Sequence, residues 1–180
     1  MRGRMTLGLY NSYDPVKFHE AHRRALARAG PLSLAYDANL VTFGFPYPPE
    51  LKQPADIVKW VAGTTTIGEG GQYLLELTEL GRFQVFEFPR KGFPPQLGTV
   101  IVTTARPQSG KAVSVANAAA MLQAGRSLLL VFGLGPHGLE QTEVDGMAAH
   151  HLDVTQKGYS LETATALGAV PAAIAAHLAK

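Results

Sequence analysis

At 180 residues, 46% apolar and 17% charged, the chain is sized for one domain with a sizeable core, and its composition excludes a disordered protein. It has no cysteine, which excludes disulfides, thiolate metal sites and cysteine nucleophiles. The net charge of +2 averages over alternating blocks: residues 1–30 hold six Lys/Arg against two Asp/Glu, 31–81 two against six, 82–126 six against one, and 127–180 two against five.

In chain order, Thr6–Tyr10 is a short β-prone run closed by Asn11 to Pro15. Asp14 as N-cap and Pro15 in the first turn predict a helix over Val16–Ala29, with Arg23, Arg24 and Arg28 on its outer side and Gly30 as its stop. Asn39–Phe45 follows as a strand, then a proline-rich connection and helices over Pro54–Ala62 and Gln72–Leu80. Phe83–Phe88 alternates as a half-buried strand does, and Gly98–Thr104 and Ser127–Phe132 are apolar throughout, as buried strands are. Between the last two lies an alanine-rich helix, Ser114–Gln123, capped by its own serine. A glycine loop, a short helix, the strand His151–Val154 and a helical region Leu161–Ala179, interrupted by Pro171, complete the chain. Ser160 is placed to cap that last helix. Strands alternating with helices predict an α/β fold with a mostly parallel sheet flanked by helices.

No apolar run approaches the roughly 18 residues of a membrane helix. Arg2 and Arg4 are followed by no apolar core or small-residue cleavage site, so a soluble, cytoplasmic protein is expected. Gly133, Gly135 and Gly138 spell the dinucleotide fingerprint, but Pro136 stands where its helix should begin, and no further strand follows Asp153 to carry a ribose-binding acid. Ser109-Gly110-Lys111 lacks the upstream glycine of a phosphate loop, and no Gly-x-Ser-x-Gly occurs. His137, His150 and His151 lack metal-ligand spacing, so no metal is expected.

Three segments belong together: the basic helix ending Arg24-Ala25-Leu26-Ala27-Arg28-Ala29-Gly30, the strand and turn Leu128–Leu139, and Leu152-Asp153-Val154 with Ser160-Leu161-Glu162 beyond it. In this order they resemble the motifs of the SPOUT superfamily of RNA methyltransferases, its SpoU-like branch above all, and the chain as a whole resembles an archaeal group within it. Glu162 stands where that family has asparagine, and Leu134 to His137 occupy a turn where it has a glutamate. The resemblance implies one α/β-knot domain over residues 1–180 with a C-terminal trefoil knot, S-adenosylmethionine as cofactor, tRNA or rRNA as partner, transfer to a ribose 2′-oxygen or a base nitrogen, and a homodimer. Residues 46–96 carry no motif and are expected as a cover over the site or a family-specific insertion.

The residues themselves say what such a site needs. Gly133, Gly135 and Gly138 let main-chain groups approach a ligand, and Leu134, Leu139, Val154 and Leu161 suit an apolar slot for an adenine. Phe132 and Leu152 end the flanking strands; Thr103 and Thr104 stand within reach of a ribose or carboxylate; Ser160 and the small Ala164 open the last helix. Tight turns in a small α/β domain need the same residues. Arg24 is the candidate for orienting the acceptor or its phosphate, and Glu162 for handling the proton. Both also suit a solvated helix face or a helix first turn. Tyr13, His19 and His22, and the basic segment Arg82–Arg126 with Lys91, Phe93 and Arg106, are candidate RNA surfaces. Ala172, Ala173, Ala175 and Ala176 suit a close-packed dimer interface. Two other readings stay open: a knotted domain that binds RNA or cofactor without catalysis, and a small Rossmann-like NAD(P) oxidoreductase.

Overall fold

The computed structural model describes residues 1–63, 68–134 and 138–179. Six strands, β1 (Met5–Tyr10), β2 (Asn39–Phe43), β3 (Phe83–Phe86), β4 (Thr99–Thr103), β5 (Leu128–Gly133) and β6 (His150–Leu152), form one sheet in the order β3-β2-β1-β5-β4-β6. Every pairing is parallel, so the mostly parallel sheet expected from the sequence is wholly parallel among the described residues. Among the described residues the helices are α1 (Glu20–Ala35), α2 (Pro54–Ala62), α3 (Gly70–Glu79), α4 (Val115–Gln123), α5 (Gln141–Met147) and α6 (Thr163–Leu178), with a 3-10 turn at Pro95–Leu97.

The strand order fixes which face each connection takes. The steps β1→β2, β2→β3 and β4→β5 all run toward the β3 edge, and right-handed crossovers place their helices on one face. There α1, α2, α3 and α4, with α6, bury Leu7, Leu9, Leu40, Leu130 and Phe132. The steps β3→β4 and β5→β6 run the other way. They cover the opposite face, where Phe93, Leu97, Val144 and Met147 pack on Val41, Phe43, Leu129 and Val131. With both faces covered, β5 is buried at every residue, as its unbroken apolar sequence requires.

β6 does not end the sheet as a free edge. On its inner side it pairs with β4, and on its outer side His151 accepts from Val113 N–H (2.8 Å) and donates to the Lys111 carbonyl (2.8 Å). The last strand therefore lies between β4 and the chain that leaves β4. Beyond it the chain returns to the first face, where α6 packs on α1 and α4.

Three expectations about helix ends are corrected. Asp14 does not start α1: its Oδ1 accepts from Val16 N–H (2.8 Å) and Lys17 N–H (3.0 Å), which closes a separate local turn, and α1 begins at Glu20. Gly30 does not stop it either; the helix runs through Gly30 and Pro31 to Ala35. A side chain at Gly30 would stand 3.3 Å from Tyr73 Cβ of α3, so this glycine serves close helix packing. The cap of α6 is Glu162, whose carboxylate accepts from Ala164 N–H (3.3 Å), not Ser160, and α6 continues through Pro171.

Candidate functional site

A cleft of about 540 Å³ opens at the C-terminal ends of β4, β5 and β6, the edge where parallel α/β sheets present ligands. Its walls are Thr103 and Thr104 after β4, Phe132 and Gly133 of β5, Leu152 and Val154 at β6, Gly138 and Leu139 before α5, and Ser160 and Leu161 before α6. All ten are residues singled out in the sequence. Leu134 instead turns its side chain into the core, Ala164 stands off the wall, and Gly135 lies outside the described residues. Arg106, which the sequence offered only as part of an RNA surface, lines the cleft too, as do Asp153, Tyr159 and Gln141; so do Thr163, Ala166 and Val170, at helical spacing once α6 starts at Thr163, and to none of these did the sequence assign a cofactor role.

The glycine turn is held from a distant point in the chain. Ser12 Oγ accepts from Leu134 N–H (2.9 Å) and lies 2.9 Å from both the Leu134 and Gly138 carbonyls, so its one proton serves either end of the turn. A side chain at Gly133 would stand 2.5 Å from Leu139 N, so the turn closes only over glycine. Thr163 Oγ1 donates to the Gly133 carbonyl (2.8 Å), tying the start of α6 to the end of β5. Thr103 Oγ1 donates to the Val131 carbonyl (2.8 Å), which leaves its lone pairs for a ligand.

Asp153 anchors the turn after β6. Its Oδ1 accepts from Thr155 N–H (2.9 Å) and Thr155 Oγ1 (2.7 Å), and its Oδ2 accepts from Gly158 N–H (2.8 Å). Burial alone raises this carboxyl's pKa; the hydrogen bonds from Thr155 and the turn's N–H groups outweigh it and hold the pKa below the ordinary value.

The two candidate catalytic residues stand outside this cleft. Arg24 projects from α1 with its side chain 64% exposed and its Nε 3.7 Å from Glu20. Glu162 is exposed and occupied as the α6 cap. Three of the histidines have structural duties, and His137 lies outside the described residues. His22 is buried: its Nδ1 accepts from His19 N–H (3.0 Å), so Nε2 carries the proton donated to Asn11 Oδ1 (3.0 Å). Burial first, and His19 second, push the His22 pKa down to about 4. His19 pairs with Asp14 (2.7 Å), and Phe93 packs its ring against Phe43 rather than facing solvent as an RNA contact. His151 is buried and accepts from Gln108 N–H (3.1 Å). Among the described residues no group of three or more His, Asp or Glu is placed to hold a metal, and no helix is long and apolar enough to cross a membrane. No residue of 46–96 lines the cleft among those described; that segment supplies α2, α3 and β3 at the far edge of the sheet.

A family model described as "Protein of unknown function (DUF531)" matches residues 5–175. The uncharacterized protein MJ0224 of Methanocaldococcus jannaschii is 42% identical over 171 residues, 95% of this chain and 93% of its own length. A probable methyltransferase from Bordetella pertussis superposes with a TM-score of 0.65 at 15% identity, over 98% of this chain and 96% of that one. An AdoMet-bound rRNA methyltransferase from Sinorhizobium meliloti gives 0.55 at 16%, over 99% of this chain and 58% of that one. The SpoU methyltransferase AviRb from Streptomyces viridochromogenes, in complex with AdoMet, gives 0.53 at 11%, over 99% and 58%. At these identities the likeness is one of fold: the chain has the α/β architecture of SpoU-class methyltransferases.

Proposed function

The chain belongs to the DUF531 family, and from its fold and its cleft we propose that it is an S-adenosylmethionine-dependent RNA methyltransferase. Its substrate is tRNA or rRNA, methylated on a ribose 2′-oxygen or a base nitrogen, and it works as a cytoplasmic homodimer. The observation that carries the reading is the position of the cleft. It lies between the turns that follow β5 and β6, in a fold shared with structures that bind AdoMet.

The residues present fit that cofactor. About 540 Å³ is within the usual range for a small-molecule site. Leu139, Val154 and Leu161 form an apolar slot for the adenine; the main chain of Gly133, Leu134 and Gly138 and of Leu152 and Val154 is placed for its polar edge. Phe132 adds to that wall, and Thr103, Thr104 and Ser160 serve the ribose and the amino acid end. The cofactor supplies an electrophilic methyl group. The protein's own work is to hold the acceptor in line and take up one proton. Arg24, free of its own cleft, orients the acceptor phosphate in the cleft of the second subunit, and Glu162 orients the acceptor at the rim. The placement of β6 between β4 and the segment 111–113, with α6 beyond it, supports a C-terminal knot in a single domain over residues 1–180.

Calorimetric titration of S-adenosylmethionine, S-adenosylhomocysteine and NADH into the purified protein tests the reading. Binding of the first two near one per subunit, followed by methyl transfer from labelled cofactor to bulk tRNA or rRNA, is the expected result. Binding without transfer selects the non-catalytic knotted domain, which Glu162's commitment as a helix cap favours. Binding of NADH alone selects the oxidoreductase and overturns the proposal.

A further inference from the structure

Tyr159 is 69% exposed, at the mouth of the cleft, and among the described residues its ring packs in neither hydrophobic cluster. Its root is nevertheless rigid. The Asp153 carboxylate clasps the turn through Thr155 and Gly158, and Thr155 Oγ1 accepts from Lys157 N–H (3.2 Å) and Tyr159 N–H (3.3 Å). Gln156 takes φ +55° inside the turn, a left-handed conformation that a non-glycine residue holds at a cost. The turn lies against the loop after β4, since a side chain at Gly158 would stand 3.6 Å from the Ala105 carbonyl. The next residue of that loop, Arg106, lines the same mouth, is exposed, and forms no ion pair among the described residues. Its own main chain is fixed by a bond from Arg106 N–H to Thr104 Oγ1 (3.1 Å).

We propose that Tyr159 and Arg106 receive the acceptor nucleotide: the base stacks on the tyrosine ring and its phosphate meets the guanidinium. The substrate class follows from the chemistry. An aromatic face is useful to a base only when that base is out of a helix, and a paired base in an RNA duplex hides both faces. The acceptor is therefore an unpaired nucleotide in a loop, bulge or single strand, with Lys157, exposed on the same turn, adding to the positive field. A pre-formed ring on a braced turn loses little freedom on binding, which is how a small contact becomes selective. This inference rests on the methyltransferase reading and adds the acceptor's structural state to it.

The test uses the full chain, fluorescence anisotropy with labelled decauridylate and with a ten-base-pair RNA duplex, and calorimetry with S-adenosylhomocysteine. The wild type is expected to prefer the single strand. Tyr159→Ala should weaken decauridylate binding about tenfold and Tyr159→Trp should restore it, because stacking needs a ring and not a hydroxyl. Arg106→Gln should lower the slope of log affinity against log salt by about one. Unchanged decauridylate binding by Tyr159→Ala overturns the proposal. So does a fall in its mass relative to the wild type, which would assign the ring to a contact between copies. If the wild type binds decauridylate through Tyr159 but no S-adenosylhomocysteine, the methyltransferase reading fails and the nucleotide surface stands. The reverse result removes the surface and leaves the cofactor site.

Discussion

Ser12 joins segments that lie 122 and 126 residues apart, and it does so with one hydroxyl between two main-chain carbonyls and an N–H. Removing it leaves a part-buried N–H and carbonyl without their partner, a loss of about 1–3 kcal/mol. Ser12→Ala is expected to bind S-adenosylmethionine about tenfold more weakly by calorimetry, because the glycine turn loses its brace while the cleft walls remain. Serine in that position carries no signal of its role, since its partners are distant in sequence. Asn11 and His22 show the same limit: a histidine on a basic helix suggests a surface for RNA, but this one is buried and neutral. That has a pH consequence. The folded-state pKa of His22, about 4, lies below the ordinary 6.5, so the unfolded chain binds more protons in between. Its contribution to stability is complete above about pH 6.5 and falls as the pH drops toward 4, by about 3 kcal/mol in all. Urea unfolding at pH 7 and pH 4.5, with the His22 imidazole followed by NMR, checks it; a ring that titrates normally in the folded protein would refute it.

Elements whose ends are decided locally were legible. α4 begins where Ser114 says it does, because the cap is local: Ser114 Oγ accepts from Asn117 N–H (3.0 Å) and Ser114 N–H donates to Asn117 Oδ1 (3.0 Å). Ser114→Ala is expected to cost about 1 kcal/mol in urea unfolding without changing cofactor affinity, since the cap lies outside the cleft. Apolar strands were legible for the same kind of reason, a pattern contained in five or six residues. α1 was not. Asp14 has the sequence of a cap but spends its carboxylate on a separate turn, and Gly30-Pro31 has the sequence of a stop but is overridden by close packing on α3. In the cleft, strand-end residues were legible because strand ends are. Thr163, Ala166 and Val170 were not, since their face depends on where α6 starts.

At the scale of the whole molecule, the exposed Arg24 and the cleft stand apart on one chain, and the homodimer proposed above brings them together across subunits. Mixing subunits tests this. Arg24→Ala keeps an intact cleft, and Gly133→Val destroys the cleft and keeps the arginine. Each is expected to be inactive alone in methyl transfer. Equal amounts, unfolded and refolded together, should regain about a quarter of wild-type activity, since half the dimers are mixed and each holds one complete site. No recovery, with mixed dimers present by native mass spectrometry, would place Arg24 outside the reaction.

The slot that holds β6, between β4 and the strand-like chain at Lys111–Val113, also bears on how the molecule is made. Its occupant leaves the ribosome after both walls, which are by then synthesised and free to close on each other. An early closure shuts the last strand out, and the wall must part again before it can enter. Synthesis direction thus works against assembly order here.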